Sequence, residues 1–244
     1  MSSRYVRQIP IIGADGQKKL SEATVFLAGA GGLGSPAAFY LAAAGIGHIR
    51  IADVDVVEET NLNRQILHRS DRIGMQKAAS AKLTLEAFNP ETEVTAFTSF
   101  IDEETAPLLI GDADIIVDAM DNFAARYVLN KMSQMLEIPM MHGGVAGLSG
   151  QAALIIPGKT ACLSCIFPDA MTTTGTPIIG VTAAIIGTIE AQETIKYLAG
   201  TGETLAGKLL LWDGAVNKIE VFTVKKNRHC PVCAGTKQDE EQHE

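Results

Sequence analysis

Apolar residues in the first half of the chain fall into short unbroken runs that alternate with stretches of helical spacing. Residues 23–28 (ATVFLA) form such a run and lead into a glycine-rich turn, the pattern of a strand covered on both faces. Ala and Leu recur at helical spacing over 33–45, and Gly45 supplies a helix stop. Residues 48–52 (HIRIA) make a second strand that ends at Asp53, so this stretch reads as a βαβ unit. A helix over 76–88 closes at Asn89-Pro90. Strands follow over 94–97 and 114–119, a helix over 123–136 and a strand over 139–142. Regular β/α alternation predicts a doubly wound, mostly parallel, Rossmann-like sheet.

Beyond Gly143-Gly144 the pattern changes. Segments 145–157 and 208–224 have the texture of antiparallel strands around a helix at 182–198. Residues 4–20 are polar with scattered apolar positions and suggest an arm or a short helix pair rather than part of the core. The expected organisation is one domain in four parts: an N-terminal arm (1–22), the Rossmann-like part (23–144), an antiparallel extension (145–235) and a disordered acidic tail (236–244).

Composition narrows the function. At 244 residues and 47% hydrophobic content the chain can bury a sizeable core. Its net charge of −8 argues against nucleic acid as the main partner. The longest apolar runs, such as 178–189, are too short and too interrupted by Gly and Thr to span a bilayer. No signal-peptide apolar segment follows Met1-Ser2-Ser3-Arg4. The expected location is cytoplasmic, with no membrane partner, and paired thiols there hold metal more readily than they form disulfides.

Chemistry concentrates in four places. In Gly29-Ala30-Gly31-Gly32-Leu33-Gly34, Gly29 permits the tight turn, Gly31 lets a phosphate approach the backbone, and Gly34 lets helix and strand pack closely. Asp53, at the end of the second strand, is placed to accept hydrogen bonds from ribose hydroxyls. Taken alone, these features fit NAD, FAD, SAM or ATP. Arg64, within Asn61-Leu62-Asn63-Arg64-Gln65, and Lys77, at the start of a helix, suit a triphosphate and a leaving pyrophosphate; the alternative is that both are solvated surface charges. Asp121, in Asp118-Ala119-Met120-Asp121-Asn122, follows a strand's carboxyl end and suits Mg2+ beside phosphates, or caps the helix that begins near Phe123. Cys162-x-x-Cys165 and Cys230-x-x-Cys233 are the only cysteines. Four soft ligands in two such pairs suit tetrahedral Zn2+ and leave no open position, so the site is expected to be structural.

In order along the chain, Arg4-Tyr5-x-Arg7-Gln8, the glycine turn, Asp53-x-Asp55, Asn61-Leu62-Asn63-Arg64-Gln65, Lys77, Asp121-Asn122 and the two cysteine pairs resemble the ThiF/MoeB/HesA family of E1-like enzymes. The likeness runs from Arg4 to about Gly235. It implies a homodimer that uses ATP and Mg2+ to adenylate the C-terminal Gly-Gly of a small ubiquitin-like sulfur carrier, MoaD- or ThiS-like, for molybdopterin or thiamin biosynthesis. It further implies that Gly32 approaches the phosphates and Asp53 binds ribose. Asn61, Arg64 and Lys77 would contact the triphosphate, with Asn122 beside them in the nucleotide site. Asp121 would hold magnesium, and Arg7 would reach into the partner subunit's site. The chain departs from many relatives in one respect. Residues 171–177 (MTTTGTP) contain no cysteine, and Thr173 stands at or near the expected position. A covalent enzyme–carrier adduct is therefore not expected, and sulfur would come from a separate persulfide donor. Two rival readings are an NAD-dependent oxidoreductase with structural zinc, in which Arg64, Lys77 and Asp121 have no task, and a catalytically inactive, zinc-stapled interaction module.

Overall fold

The computed structural model describes residues 3–170 and 177–234. Eight strands form one sheet in the order β3-β2-β1-β4-β5-β6-β7-β8. Strands β1 (Thr24–Ala28), β2 (His48–Ala52), β3 (Glu93–Phe97), β4 (Ile115–Asp118) and β5 (Met140–Ala146) pair in parallel. Strands β6 (Ser149–Ile155), β7 (Lys208–Asp213) and β8 (Lys218–Thr223) extend the sheet in antiparallel register. The continuous apolar runs of β1 and β4 have their physical cause here: Val25, Phe26, Leu27, Ile115, Ile116 and Val117 are all fully buried, because helices cover both faces.

Those helices are α1 (Ile9–Glu22), α2 (Gly34–Ala44), α3 (Lys77–Phe88), α4 (Ala106–Ile110), α5 (Phe123–Leu136), α6 (Leu163–Ile166) and α7 (Gly180–Ala199). Successive side chains of β1 divide between two hydrophobic clusters. Val25 and Leu27 pack with Leu41 of α2 and Ile186 of α7. Phe26 and Ala28 pack with Leu109 of α4, Leu129 of α5 and three of the cysteines. This is the layering that period-2 side-chain alternation imposes on a sheet buried on both sides.

Several details go beyond the sequence pattern. Strand β5 runs through Gly143-Gly144 to Ala146 before turning into β6, so a boundary at 144/145 falls inside a strand. A Cβ at position 143 would lie 2.3 Å from the Glu190 carboxyl carbon, which explains a glycine in a strand interior. Helices α4 and α6 are too short to leave a periodic signature in the sequence. The N-terminal segment takes the helix-pair form: α1 breaks at Gly13 (φ 76°). It corrects the expectation of a segment outside the core: Leu20, in its second half, is fully buried in the main hydrophobic cluster, and Ile12 packs against that cluster. No helix among the described residues is long and apolar enough to cross a membrane.

Candidate nucleotide and metal sites

The glycine turn opens where β1 ends. Gly29 adopts φ +101°, and a Cβ there would meet the Ala119 carbonyl at 2.9 Å; a Cβ at Gly34 would stand 2.0 Å from the Gly29 carbonyl. These two glycines let α2 start tight against the turn. Gly31 and Gly32 instead face a cleft of about 1340 Å3 at the carboxyl ends of the parallel strands, the place where open α/β sheets bind ligands. Gly29, Asp53, Arg64, Lys77, Asp121 and Asn122 line the same cleft.

Asp53 Oδ2 accepts the Ala30 N–H at 2.8 Å and Oδ1 accepts the Asp55 N–H at 2.9 Å. Burial raises its pKa, and these bonds and the Lys77 charge oppose the rise. Lys77 is not a solvated surface charge. Its side chain is 8% exposed and its Nζ donates to Asp55 Oδ2 at 2.8 Å, so its ammonium is held at the cleft wall. Arg64 is held by the Thr60 carbonyl at 2.9 Å and Asn63 Oδ1 at 3.1 Å. Asn61 and Gly34 do not line the cleft. Asn61 is buried and its Oδ1 accepts the Glu58 N–H in a capping box.

The alternative role for Asp121, a helix cap, is taken by its neighbour. Asn122 Oδ1 accepts the Ala125 N–H at 2.9 Å, which leaves the exposed Asp121 carboxylate facing the cleft. Arg126, one turn into α5, was not singled out in the sequence. Its Nη2 donates to the Met120 carbonyl at 2.5 Å and to the Gly143 carbonyl at 3.0 Å. Its Nε lies 3.7 Å from Asp118 Oδ2. Asp118 also bonds His142 Nδ1 at 2.7 Å, with both residues fully buried. Arg126 thus ties the loop that carries Asp121 to β5. The only sequence signal was a charge interrupting the apolar stripe of a helix.

Glu190 of α7 closes this cluster from the other side. It is fully buried, and among the described residues neither carboxyl oxygen has a hydrogen-bond partner. Burial and then the Asp118 charge push its pKa well above the usual carboxylate value, and Arg126 opposes them. In the unfolded chain the group ionises near its ordinary value, so the folded state holds the proton to higher pH. Stability is full below the unfolded pKa and is lost as pH rises from there towards the folded pKa. Glu190→Met is therefore expected to raise the melting temperature more at pH 8 than at pH 5. Equal gains at the two pH values would show that Glu190 titrates alike in both states.

The four cysteines converge although 64 residues separate the pairs. Cys162, Cys165, Cys230 and Cys233 place their sulfurs within 4.8 Å of one another. Three of the separations are 3.9, 3.6 and 3.4 Å (Cys162–Cys165, Cys162–Cys230, Cys165–Cys233). A tetrahedron with Zn–S bonds of about 2.3 Å has S···S edges of about 3.8 Å, so the thiol set fits zinc. Without a cation, burial pushes the Cys162 thiol up to about 11; a dication in the cluster would favour the thiolates instead. Neighbouring elements position the loop: Asn130 Oδ1 accepts the Leu163 N–H at 2.9 Å, and Tyr127 Oη donates to the Phe167 carbonyl at 2.6 Å.

Arg7 is exposed and lies outside the cleft. Thr173 and the acidic tail from residue 236 lie outside the described residues.

The model of the ThiF family matches residues 5–232. The chain is 38% identical over 240 residues to SAMP-activating enzyme E1 of Haloferax volcanii, covering 94% of this chain and 88% of that protein. It is 37% identical over 243 residues to the sulfur carrier protein adenylyltransferase of Thermus thermophilus, covering 94% and 90%. It spans about half, 53%, of adenylyltransferase and sulfurtransferase MOCS3 of Drosophila sechellia, at 38% identity over 95% of this chain. Among solved structures, E. coli MccB with MccA-N7isoASN superimposes with a TM-score of 0.87 at 26% identity, over 96% of this chain and 75% of that one. E. coli MccB with ATP gives 0.84 at 26% identity, over 96% and 74%. Matched along nearly its whole length by both the family model and the first two relatives, the chain belongs to the ThiF family of E1-like adenylyltransferases.

Proposed function

We propose that this chain uses ATP and Mg2+ to adenylate the C-terminal glycine of a small ubiquitin-like sulfur-carrier protein ending in Gly-Gly, releasing pyrophosphate. The observation that carries the reading is the gathering of the glycine turn, Arg64, Lys77 and Asp121 on one cleft. Two cations and a carboxylate are more than the two phosphates of NAD require, which disfavours a nicotinamide-dependent oxidoreductase. Retention of all these groups likewise disfavours an inactive interaction module. The names of the Haloferax and Thermus relatives support a protein carrier, and the likeness to MccB with ATP supports the nucleotide.

In this reading Asp53 binds the ribose, while the N–H groups around Gly31 and Gly32 meet the phosphates at the start of α2. Arg64 and Lys77 neutralise the triphosphate and then the charge that grows on pyrophosphate as it leaves. The buried Asn61 serves the site by shaping the loop that presents Arg64. Asp121, beside Asn122, would hold Mg2+, which would supply neutralising charge to the phosphates. A carrier carboxylate oxygen attacks the α-phosphorus in line; its bond to phosphorus forms as the bond to the bridging oxygen of pyrophosphate breaks. The carboxylate is ionised at neutral pH, so no general base is needed, and positioning contributes most of the acceleration. Arg7 acts in the site of the partner subunit of a cytoplasmic homodimer. Molybdopterin or thiamin biosynthesis is the fitting pathway, with sulfur from a separate persulfide donor, and Cys162, Cys165, Cys230 and Cys233 hold structural Zn2+.

The test is ATP–pyrophosphate exchange with and without a MoaD- or ThiS-like carrier. Label should enter ATP only when enzyme, Mg2+ and an intact Gly-Gly terminus are all present. Carrier-independent exchange, or none with any Gly-Gly carrier, would refute the reading.

A further inference from the structure

Five hydrogen bonds close a ring through the glycine turn, and three residues of that ring, Ala30, His68 and Ser80, do not line the cleft. Ser80 Oγ lies 3.0 Å from His68 Nδ1, and His68 Nε2 lies 2.9 Å from the Ala30 carbonyl. The same residue's N–H donates to Asp53 Oδ2 at 2.8 Å, Asp53 Oδ1 accepts the Asp55 N–H at 2.9 Å, and Asp55 Oδ2 accepts from Lys77 Nζ at 2.8 Å. Lys77 and Ser80 stand one turn apart on α3, so the circuit returns to the helix from which it started. Ser80 and His68 are buried at 0% and 6% exposure. His68 does not line the cleft.

We propose that His68 is a positioning residue for the nucleotide site, holding the glycine turn through the Ala30 carbonyl so that turn, Asp53 and Lys77 are arranged together before ligand arrives. A carbonyl only accepts, so Nε2 carries the proton and Nδ1 takes the Ser80 hydroxyl hydrogen. Burial, with Lys77 and Arg72 nearby, keeps the ring's pKa low and this neutral form in place, against the opposing pull of the Ala30 bond. The turn needs such a tie. Gly29, Gly31 and Gly32 restrict the backbone little, and their freedom would otherwise be lost only when phosphate binds. Pinning both the N–H and the carbonyl of Ala30 removes that freedom in the free protein, which favours binding.

The proposal rests on the nucleotide reading for its ligand, and the experiment has an arm that does not. In the nucleotide-free protein, hydrogen exchange of the turn segment 29–35 is compared among wild type, His68→Leu and His68→Gln, whose terminal amide places an N–H donor near the Nε2 position. His68→Leu should speed exchange in that segment while melting temperature and zinc content stay close to wild type, and His68→Gln should restore it. MgATP titration should follow the same order, with the Leu variant about 5- to 20-fold weaker. Unchanged exchange in His68→Leu overturns the proposal, as does equal impairment in both variants, which would mean that the ring only fills space. Faster exchange with unchanged MgATP affinity also overturns it. Wild type that binds no MgATP sinks the nucleotide reading instead, and the exchange arm still decides whether His68 holds the turn. Should His68→Leu fail to fold, Ser80→Ala breaks the ring at the adjacent bond and must loosen the same segment.

Discussion

Asp121→Ala is expected to lower carrier-dependent ATP–pyrophosphate exchange by about 10²–10³-fold while the fold stays intact. The size is that of removing one preorganised electrostatic group from a reaction that develops charge. The intact fold follows from the division of labour at the start of α5. Asn122 makes the helix cap and Arg126 holds the loop through the Met120 carbonyl, so the exposed Asp121 side chain can be removed without uncapping the helix. Asp121→Asn should be nearly as damaged, because it keeps the shape and loses the charge. Near-normal exchange in either folded variant would remove Asp121 from the magnesium role. Mixing Asp121→Ala with Arg7→Ala extends the test to the assembly. If Arg7 serves the partner's site, a heterodimer has one site lacking both groups and one site intact, and activity reappears on subunit exchange. Verified exchange without recovery would place Arg7 elsewhere.

Removing zinc is expected to have the largest effect on stability. The purified protein should carry one zinc per chain, and chelation should lower the melting temperature by about 10 °C or more. A loss of several kcal/mol in a chain of this length moves the midpoint by about 2–4 °C per kcal/mol. The cause is the separation of the ligands: one pair opens α6 and the other lies in the C-terminal segment after β8, so the metal joins two segments far apart in the chain. Cys162, Cys230 and Cys233 are buried in the cluster beneath α5, and without metal that cluster holds four packed thiols rather than a coordinated ion. Cys165→Ser, at the least buried of the four positions, should reproduce the chelated state, and added zinc should not rescue it. Protein prepared anaerobically that contains no zinc, or that melts identically after chelation, would refute the structural role.

The parallel strands, the helices of three turns or more after residue 22, the glycine turn and the cysteine pairs were legible in the sequence because each is written locally. A strand buried on both faces needs an apolar run, a helix needs its spacing, and a turn with positive φ needs glycine; CxxC brings two sulfurs together within one loop. Tertiary structure decided what depends on neighbours distant in the chain. It gave the α5 cap to Asn122 and freed Asp121, because the loop after β4 is fixed by Arg126 reaching β5. It held Lys77 at the cleft wall through Asp55, where the sequence left a solvated lysine equally open. Asn61, next to the residues that line the cleft, proved to be a buried loop anchor. His68 and Glu190 had no readable signal and Arg126 only a charge in an apolar stripe, since a single polar residue at an apolar position acquires meaning only from what faces it. Their surroundings come from four separate segments brought together by the sheet order, and in that dry interior each hydrogen bond made or missed counts for far more than it does in water.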